Sequence, residues 1–160
     1  TGSGCILLSI LKELCLARGL GIDISRQAVK TAVLNSKKLK LTNRSKFKVF
    51  DINQFNFGKY DLIVSNPPYI PSKDIKNLSD DITKYEPLIA LNGGLDGLDL
   101  IKKIIYKSIS LLKKDGFLAV EIGNKQYKKV SNLLDKHGFR EIDKVFDFRN
   151  NVRCIIGAKI

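Results

Sequence analysis

Asn66, Pro67, Pro68 and Tyr69 are the residues whose types and order best define a reaction in this chain. They close a short apolar run at residues 60–65. Two consecutive prolines neither extend a hydrogen-bonded ladder nor open a helix, so the run is expected to be a buried strand ending in a stiff loop. Each proline also drives the residue before it into the extended region, which sets Asn66 and Pro67. Such a loop offers acceptors: the Asn66 amide oxygen and the Pro67 carbonyl, with the Tyr69 ring beside them. That set suits a planar NH2 group, held by its two N–H bonds while the nitrogen lone pair turns toward an electrophile. The chemistry implied is methylation of an amide or amino nitrogen. The competing reading is a tight turn after a strand, since Asn and Pro are common turn residues.

A second constellation favours chemistry over a turn. Thr1-Gly2-Ser3-Gly4 stands directly before a helical period. Glycine lets the backbone pass close to a ligand, and a helix start presents free N–H groups, although the motif alone is a weak signal. Asp23, at the end of the next predicted strand, is placed to accept from both hydroxyls of a ribose. Asp51, at the end of the third, is placed to meet an adenine amine, and Ile52 to pack on the adenine face. Each acid taken singly reads equally well as a helix cap or a solvated loop residue. Glycine turn, Asp23, Asp51 and Asn66 in succession on four strand ends form a cofactor site. Its candidate residues are Thr1, Gly2, Gly4, Asp23, Asp51, Ile52 and Asn66. A dinucleotide dehydrogenase is disfavoured because it gives no reason for the Asn-Pro-Pro-Tyr loop.

The elements that must position these residues follow from periodicity. Helices are expected over 5–17, 25–36 with Ser25 as N-cap, 98–112 and 125–136. Strands are expected over 19–24, 47–50, 60–65, 117–122, 141–148 and 152–159, the last two forming a hairpin around Arg149-Asn150-Asn151. Lys114-Asp115-Gly116 should end the third helix. This alternation predicts an α/β doubly wound, mostly parallel sheet with a C-terminal antiparallel hairpin. Residues 70–97, with Pro71, Pro87, Gly93, Gly94 and Gly97, fit the alternation poorly and read as an insertion or lid over the strand ends. The chain opens inside a strand-to-helix turn, so the first, central strand of such a sheet is expected to lie outside it. Residues 1–160 are then the catalytic domain of a longer protein.

Composition narrows the class. The 160 residues are 44% hydrophobic and 28% charged, ordinary for one globular domain. No apolar run approaches the length of a membrane span. Cys5, Cys15 and Cys154 are odd in number, without a C-x-x-C pair, and read as reduced, buried small residues of a cytoplasmic protein with no metal site. The only histidine, His137, precedes Gly138 at an expected helix end, where it serves the helix terminus better than catalysis. The formal charge is +12, and Lys37, Lys38, Lys40, Arg44, Lys46 and Lys48 form a stretch without an intervening acid. Only Phe47 interrupts that stretch as an aromatic, so a solvated basic surface is preferred to a dedicated nucleic-acid site.

Taken in order, T-G-S-G-C, D-I-S, F-D, V-S-N-P-P-Y-I, Y-E-P-L-I-A-L-N-G-G-L-D-G-L and E-I-G-N-K-Q resemble the release-factor glutamine methyltransferases, along essentially the whole chain. N-P-P-Y alone is shared with methyltransferases acting on adenine or cytosine amines; the block from Tyr85 to Leu98 is specific to the glutamine branch. The resemblance implies the class I methyltransferase fold and S-adenosyl-L-methionine as cofactor. The implied acceptor is a glutamine side-chain amide in the Gly-Gly-Gln loop of peptide chain release factors. It places glycine-loop contacts on Gly2 and Gly4, ribose binding on Asp23, adenine contacts on Asp51 and Ile52, and the acceptor pocket on Asn66, Pro67, Pro68 and Tyr69. Departures are Ile52, where an aromatic is usual, Lys114-Asp115-Gly116 in place of Pro-Gly-Gly, and the absence of the family's N-terminal helical domain. Two alternatives stay open: methylation of an adenine amine in DNA or RNA, and a remnant that keeps the motif without binding cofactor.

Overall fold

The computed structural model describes residues 1–160, the side chain of Asp80 excepted. The chain forms two compact units, Thr1–Phe55 and Asn56–Ile160. The first contains α1 (Cys5–Glu13), β1 (Gly19–Asp23), α2 (Arg26–Lys38) and β2 (Ser45–Val49). β1 and β2 pair in parallel, from Gly19 opposite Ser45 to Asp23 opposite Val49. Leu8 and Leu11, one turn apart on α1, are buried with Leu41, and Leu7, Ala17 and Phe47 pack against them. α2 starts where its cap is: the Ser25 hydroxyl accepts from the Ala28 amide at 3.2 Å, and Val29, Ala32 and Ser36 form its buried face.

α1 is shorter than the periodicity predicts. The Arg44 guanidinium takes its last carbonyls, donating to Leu11 at 2.6 Å and to Leu14 and Ala17 at 3.0 and 3.1 Å. Those bonds satisfy a helix end that another turn would have satisfied internally. They also take Arg44 out of the basic stretch as a surface charge, whereas Lys37, Lys38, Lys40, Lys46 and Lys48 are exposed.

The second unit is built on a four-stranded sheet in the order β3-β4-β6-β5. β3 (Tyr60–Ser65) runs parallel to β4 (Leu112–Glu121), while β6 (Val152–Lys159) is antiparallel to β4 and to β5 (Phe139–Phe146). α5 (Asp99–Leu111) buries Ile101, Ile104, Ile105, Ser108 and Leu111, a face set by three- and four-residue steps. α6 (Tyr127–Lys136) buries Val130 and Leu134 and ends at His137, its C-cap, before Gly138 at φ +77°. Lys159 closes α5, its ammonium donating to the carbonyls of Ile109 at 2.6 Å and Leu112 at 3.1 Å. The β5–β6 turn is tied by Asp147, which accepts from the amides of Arg149 and Asn151, both at 2.9 Å.

The strands thus form two sheets, one in each unit. Three expectations need correction. β3 is not a buried strand: it is an edge strand, paired among the described residues with β4 alone, and Leu62 and Val64 are 42% and 38% exposed. Lys114-Asp115-Gly116 does not separate helix from strand. β4 begins at Leu112, and the tripeptide is absorbed as a bulge, with Asp115 at φ +60° and the register passing from Tyr60–Leu112 to Leu62–Phe117. Cys5 and Cys15 are exposed and Cys154 is half-buried, since the buried stripe of α1 runs through Leu8 and Leu11 instead.

Residues 70–97 hold a 3₁₀ turn (Ser72–Asn77) and two short helices, α3 (Asp80–Tyr85) and α4 (Leu88–Leu91). Among the described residues no helix is long and apolar enough to cross a membrane, and no cluster of His, Cys, Asp or Glu is arranged to hold a metal ion.

Candidate active site

In the first unit the glycine turn, Asp23 and Asp51 gather at one end of the β1–β2 pair. Gly2 and Gly4 sit at φ +56° and +81°, the left-handed region that favours glycine. Their reasons differ. A Cβ on Gly2 would meet nothing, whereas one on Gly4 would come within 3.0 Å of both the Ala32 Cβ and the Phe47 ring. Gly4 is the N-cap of α1 and provides no side-chain cap, which leaves the first amides of that helix without a side-chain acceptor. Gly21, which sequence reasoning passed over, is equally constrained: a Cβ there would lie 2.4 Å from the Thr1 hydroxyl.

The Asp23 carboxylate ties the turn to β1. Its Oδ2 accepts from the Gly2 amide at 2.8 Å and the Thr1 nitrogen at 3.0 Å, and its Oδ1 from the Ser25 amide at 2.9 Å. Burial pushes this carboxyl up, but the Ser25 and Gly2 amides hold it below its ordinary value. A carboxylate has about four acceptor positions. Asp23 thus keeps an acceptor position free on Oδ1 for a ribose hydroxyl. Asp51 follows β2, next to the Phe50 amide that donates to the Asp23 carbonyl at 2.9 Å. Its Oδ1 accepts from the backbone and side chain of Asn53, both at 2.8 Å. Ile52 is half-buried. Uncapped amides, an open Gly2 and two anchored carboxylates fit an adenosine-bearing cofactor.

In the second unit the Asn66–Tyr69 loop continues β3. The Asn66 side chain is exposed and takes no hydrogen bond from any described residue, and the Pro67 carbonyl likewise finds no partner among them. Pro67 is buried and Tyr69 half-buried. The Tyr69 hydroxyl donates to Glu121 Oε1 at 3.3 Å and accepts from Arg153 Nη2 at 2.9 Å. The same guanidinium lies over the Tyr69 ring, 5.3 Å from its centroid, and its nitrogen is 3.7 Å from Glu121. Two oxygens are therefore uncommitted beside a ring fixed by a cation and a carboxylate.

Beyond Tyr69, the backbone is laced to the segment that precedes α5. Ile70 donates to the Leu91 carbonyl at 3.0 Å and accepts from the Gly93 amide at 2.8 Å, and the Ser72 amide donates to Gly94 at 2.9 Å. Asn92 Oδ1 accepts from the Ser72 hydroxyl and the Gly94 amide, both at 2.9 Å. Gly97 is required by contact as well as by its φ of +75°, since a Cβ would fall 2.3 Å from the Tyr69 carbonyl. Arg153, Glu121 and these glycines were missed as site residues. For Arg153 the sequence gives no signal, because it meets Tyr69 across 84 positions.

A family model described as "Eco57I restriction-modification methylase" matches residues 22–154. The chain belongs to this methylase family. Among curated proteins, release factor glutamine methyltransferase of Rhodospirillum rubrum is 42% identical, over 99% of this chain and 49% of its own. The Clostridium acetobutylicum protein of the same name is 40% identical, over 99% of this chain and 57% of its own. The chain spans about half the length of the curated relatives it matches. Solved methyltransferase structures share the fold at low identity. A ribosomal protein L11 methylase from Lactobacillus delbrueckii superposes with a TM-score of 0.70 at 20% identity, covering 100% of this chain and 67% of that one. A magnesium protoporphyrin IX methyltransferase from Synechocystis, solved with SAM bound, gives 0.68 at 17% identity, covering 99% and 66%. The expected α/β fold of class I methyltransferases and the resemblance to release-factor glutamine methyltransferases are both borne out.

Proposed function

We propose that this chain is the catalytic portion of an enzyme that methylates the side-chain amide nitrogen of glutamine in the Gly-Gly-Gln motif of peptide chain release factors. S-adenosylmethionine is its methyl donor. The observation that carries this reading is the pair of uncommitted acceptors, Asn66 Oδ1 and the Pro67 carbonyl, on a loop that proline makes rigid. It is supported by relatives at 40–42% identity that bear the name release factor glutamine methyltransferase. A release-factor substrate places the enzyme in the cytoplasm.

The cofactor, when bound, supplies an electrophilic methyl group on a sulfonium. Thr1, Gly2, Gly4, Asp23, Asp51 and Ile52, all in the first unit, are the residues proposed to hold it. The acceptor is a poor nucleophile, because an amide lone pair is delocalised into its carbonyl. Donation of both N–H bonds to Asn66 Oδ1 and the Pro67 carbonyl fixes the NH2 plane and weakens that delocalisation. Tyr69 packs on the flat amide. Held there, the donor would supply its methyl group to the acceptor nitrogen and remain as S-adenosylhomocysteine, and the nitrogen's proton would pass to solvent. Rate enhancement then comes chiefly from positioning and from a water-poor pocket.

The full-length protein, labelled methyl donor and purified release factor test this directly: label should appear on the glutamine. A second reading, methylation of an exocyclic amine in nucleic acid, draws on the restriction-modification family match and the charge of +12. It predicts that DNA or RNA is labelled and release factor is not. Calorimetry with S-adenosylhomocysteine separates both from a chain that keeps the motif without binding cofactor.

A further inference from the structure

Methyl transfer gives no direct role to Gln126, yet this side chain is only 7% exposed. Its amide is used on both sides. Nε2 donates to the Tyr69 carbonyl at 2.9 Å and the Gly97 carbonyl at 3.3 Å, and Oε1 accepts from the Gly123 amide at 2.7 Å. Three segments therefore meet on one group: the end of the acceptor loop, the turn before α5 and the turn after β4. Glycine makes the room, since a Cβ on Gly97 or Gly123 would approach the Gln126 amide to 2.6 and 3.0 Å. The turn that delivers Gln126 holds Lys125 at φ +68°, a conformation that residues with a side chain seldom adopt.

The loop needs such a support. Its start is tied to β4 through the pairing of Ser65 with Val120. Its prolines bring no N–H, and between Asn66 and Tyr69 the Tyr69 carbonyl is the backbone group that finds a partner among the described residues. Gln126 carries that carbonyl to Gly123, just past the end of β4. Both ends of a stiff tetrapeptide are thus referred to one strand. We propose that Gln126 is a positioning residue for methyl transfer, fixing the Asn66–Tyr69 backbone and with it the two acceptor oxygens. The inference rests on the methyl-transfer reading of this loop.

Only an amide does all three jobs. Methionine fills the space with no polar group, and glutamate replaces a donor by an acceptor facing two carbonyls. In the full-length protein, Gln126→Met should lower kcat roughly 10- to 100-fold, as a small misplacement of a reacting group does. KM for the methyl donor and the Kd of S-adenosylhomocysteine should stay within about twofold. Deuterium exchange should accelerate in peptides covering residues 63–72 and not in the β5–β6 hairpin. Gln126→Glu should be weaker still at about pH 8 and recover partly near pH 6, where a buried carboxyl regains its proton and one donor. Gln126→Met should show no such recovery. Retention of kcat within about twofold in both variants would overturn the proposal. So would a parallel loss of kcat, cofactor affinity and protection throughout the unit. Should the wild-type protein label no acceptor, the functional reading fails, and the exchange measurement alone decides: acceleration confined to the loop supports the brace, and its absence removes it.

Discussion

Arg153 and Tyr69 are joined twice, by a 2.9 Å hydrogen bond to the phenol and by the guanidinium over the ring at 5.3 Å from its centroid. The ring quadrupole thus already faces one cation, and the phenol oxygen is fixed by a donor and a carboxylate. Tyr69 serves as a rigid wall more than as an attractor of further positive charge. Arg153→Met should free the ring and lower kcat about 10-fold, whereas Arg153→Lys, which keeps charge but not the planar fork, should fall in between. Steady-state kinetics on the three proteins orders them; a lysine variant as impaired as methionine would make shape the important property.

Asn66 gives a cleaner separation of activity from stability. Its side chain is exposed and unengaged by any described residue, so Asn66→Ala should leave the unfolding free energy unchanged within about 0.5 kcal/mol. Methyl transfer should nevertheless fall at least about 100-fold, the usual cost of losing one aligned polar group at a reacting centre. Cofactor binding should persist. Equal loss of both would move Asn66 to the cofactor site.

Asp23 sets a pH dependence of stability. Burial pushes its carboxyl up, but the Ser25 and Gly2 amides hold it net below the ordinary value. A group whose folded value is depressed contributes stability in full above the unfolded value, near 4, and loses it as pH falls through the folded one. Thermal unfolding should therefore steepen with acidification below about pH 4, and Asp23→Asn should flatten that limb. An unchanged acid limb would show that other carboxylates dominate it.

Two glycines separate crowding from backbone strain. Gly138→Ala meets open space at φ +77° and should cost about 1 kcal/mol from conformation alone. Gly97→Ala adds a Cβ 2.3 Å from the Tyr69 carbonyl at φ +75°, and should cost at least about 2 kcal/mol more, with activity falling alongside. Urea unfolding of both variants measures the difference.

The cysteines should sort by exposure. Burial pushes the Cys154 thiol up, and Glu121 adds to the shift, while Cys5 and Cys15 are exposed. Iodoacetamide near neutral pH should modify Cys5 and Cys15 first, with Cys154 following on unfolding, as peptide mass spectrometry would record. Equally fast labelling of Cys154 would mean that its strand opens readily.

The sequence reveals most clearly what is local. The Ser25 cap, the β3 limits, the His137 terminus and the Asp147–Asn151 turn all lie within a few residues of the signals that announce them. It hides what depends on distant partners. Arg44 reads as one more surface cation until it meets the end of α1, and Lys114-Asp115-Gly116 reads as a turn until β3 pairs past it. Asp23 was legible as an acid at a strand end, but not the extent to which the glycine turn already engages it. The strand end before Asn66–Tyr69 was legible because proline acts on its own backbone; the contacts of Gln126 and Arg153 with Tyr69 were not, because they reach it from 57 and 84 positions away.

Lys159 and Arg44 bear on how a polyanion would meet this protein. Both direct their positive charge inward, onto carbonyls at the ends of α5 and α1, while Lys102 and Lys113 are matched by Asp96 and Asp61. A phosphate chain gains counterion release only from cations it can reach. The effective electrostatic footprint is therefore smaller than the formal tally, and salt titration of nucleic-acid binding would return a shallower slope than that tally implies.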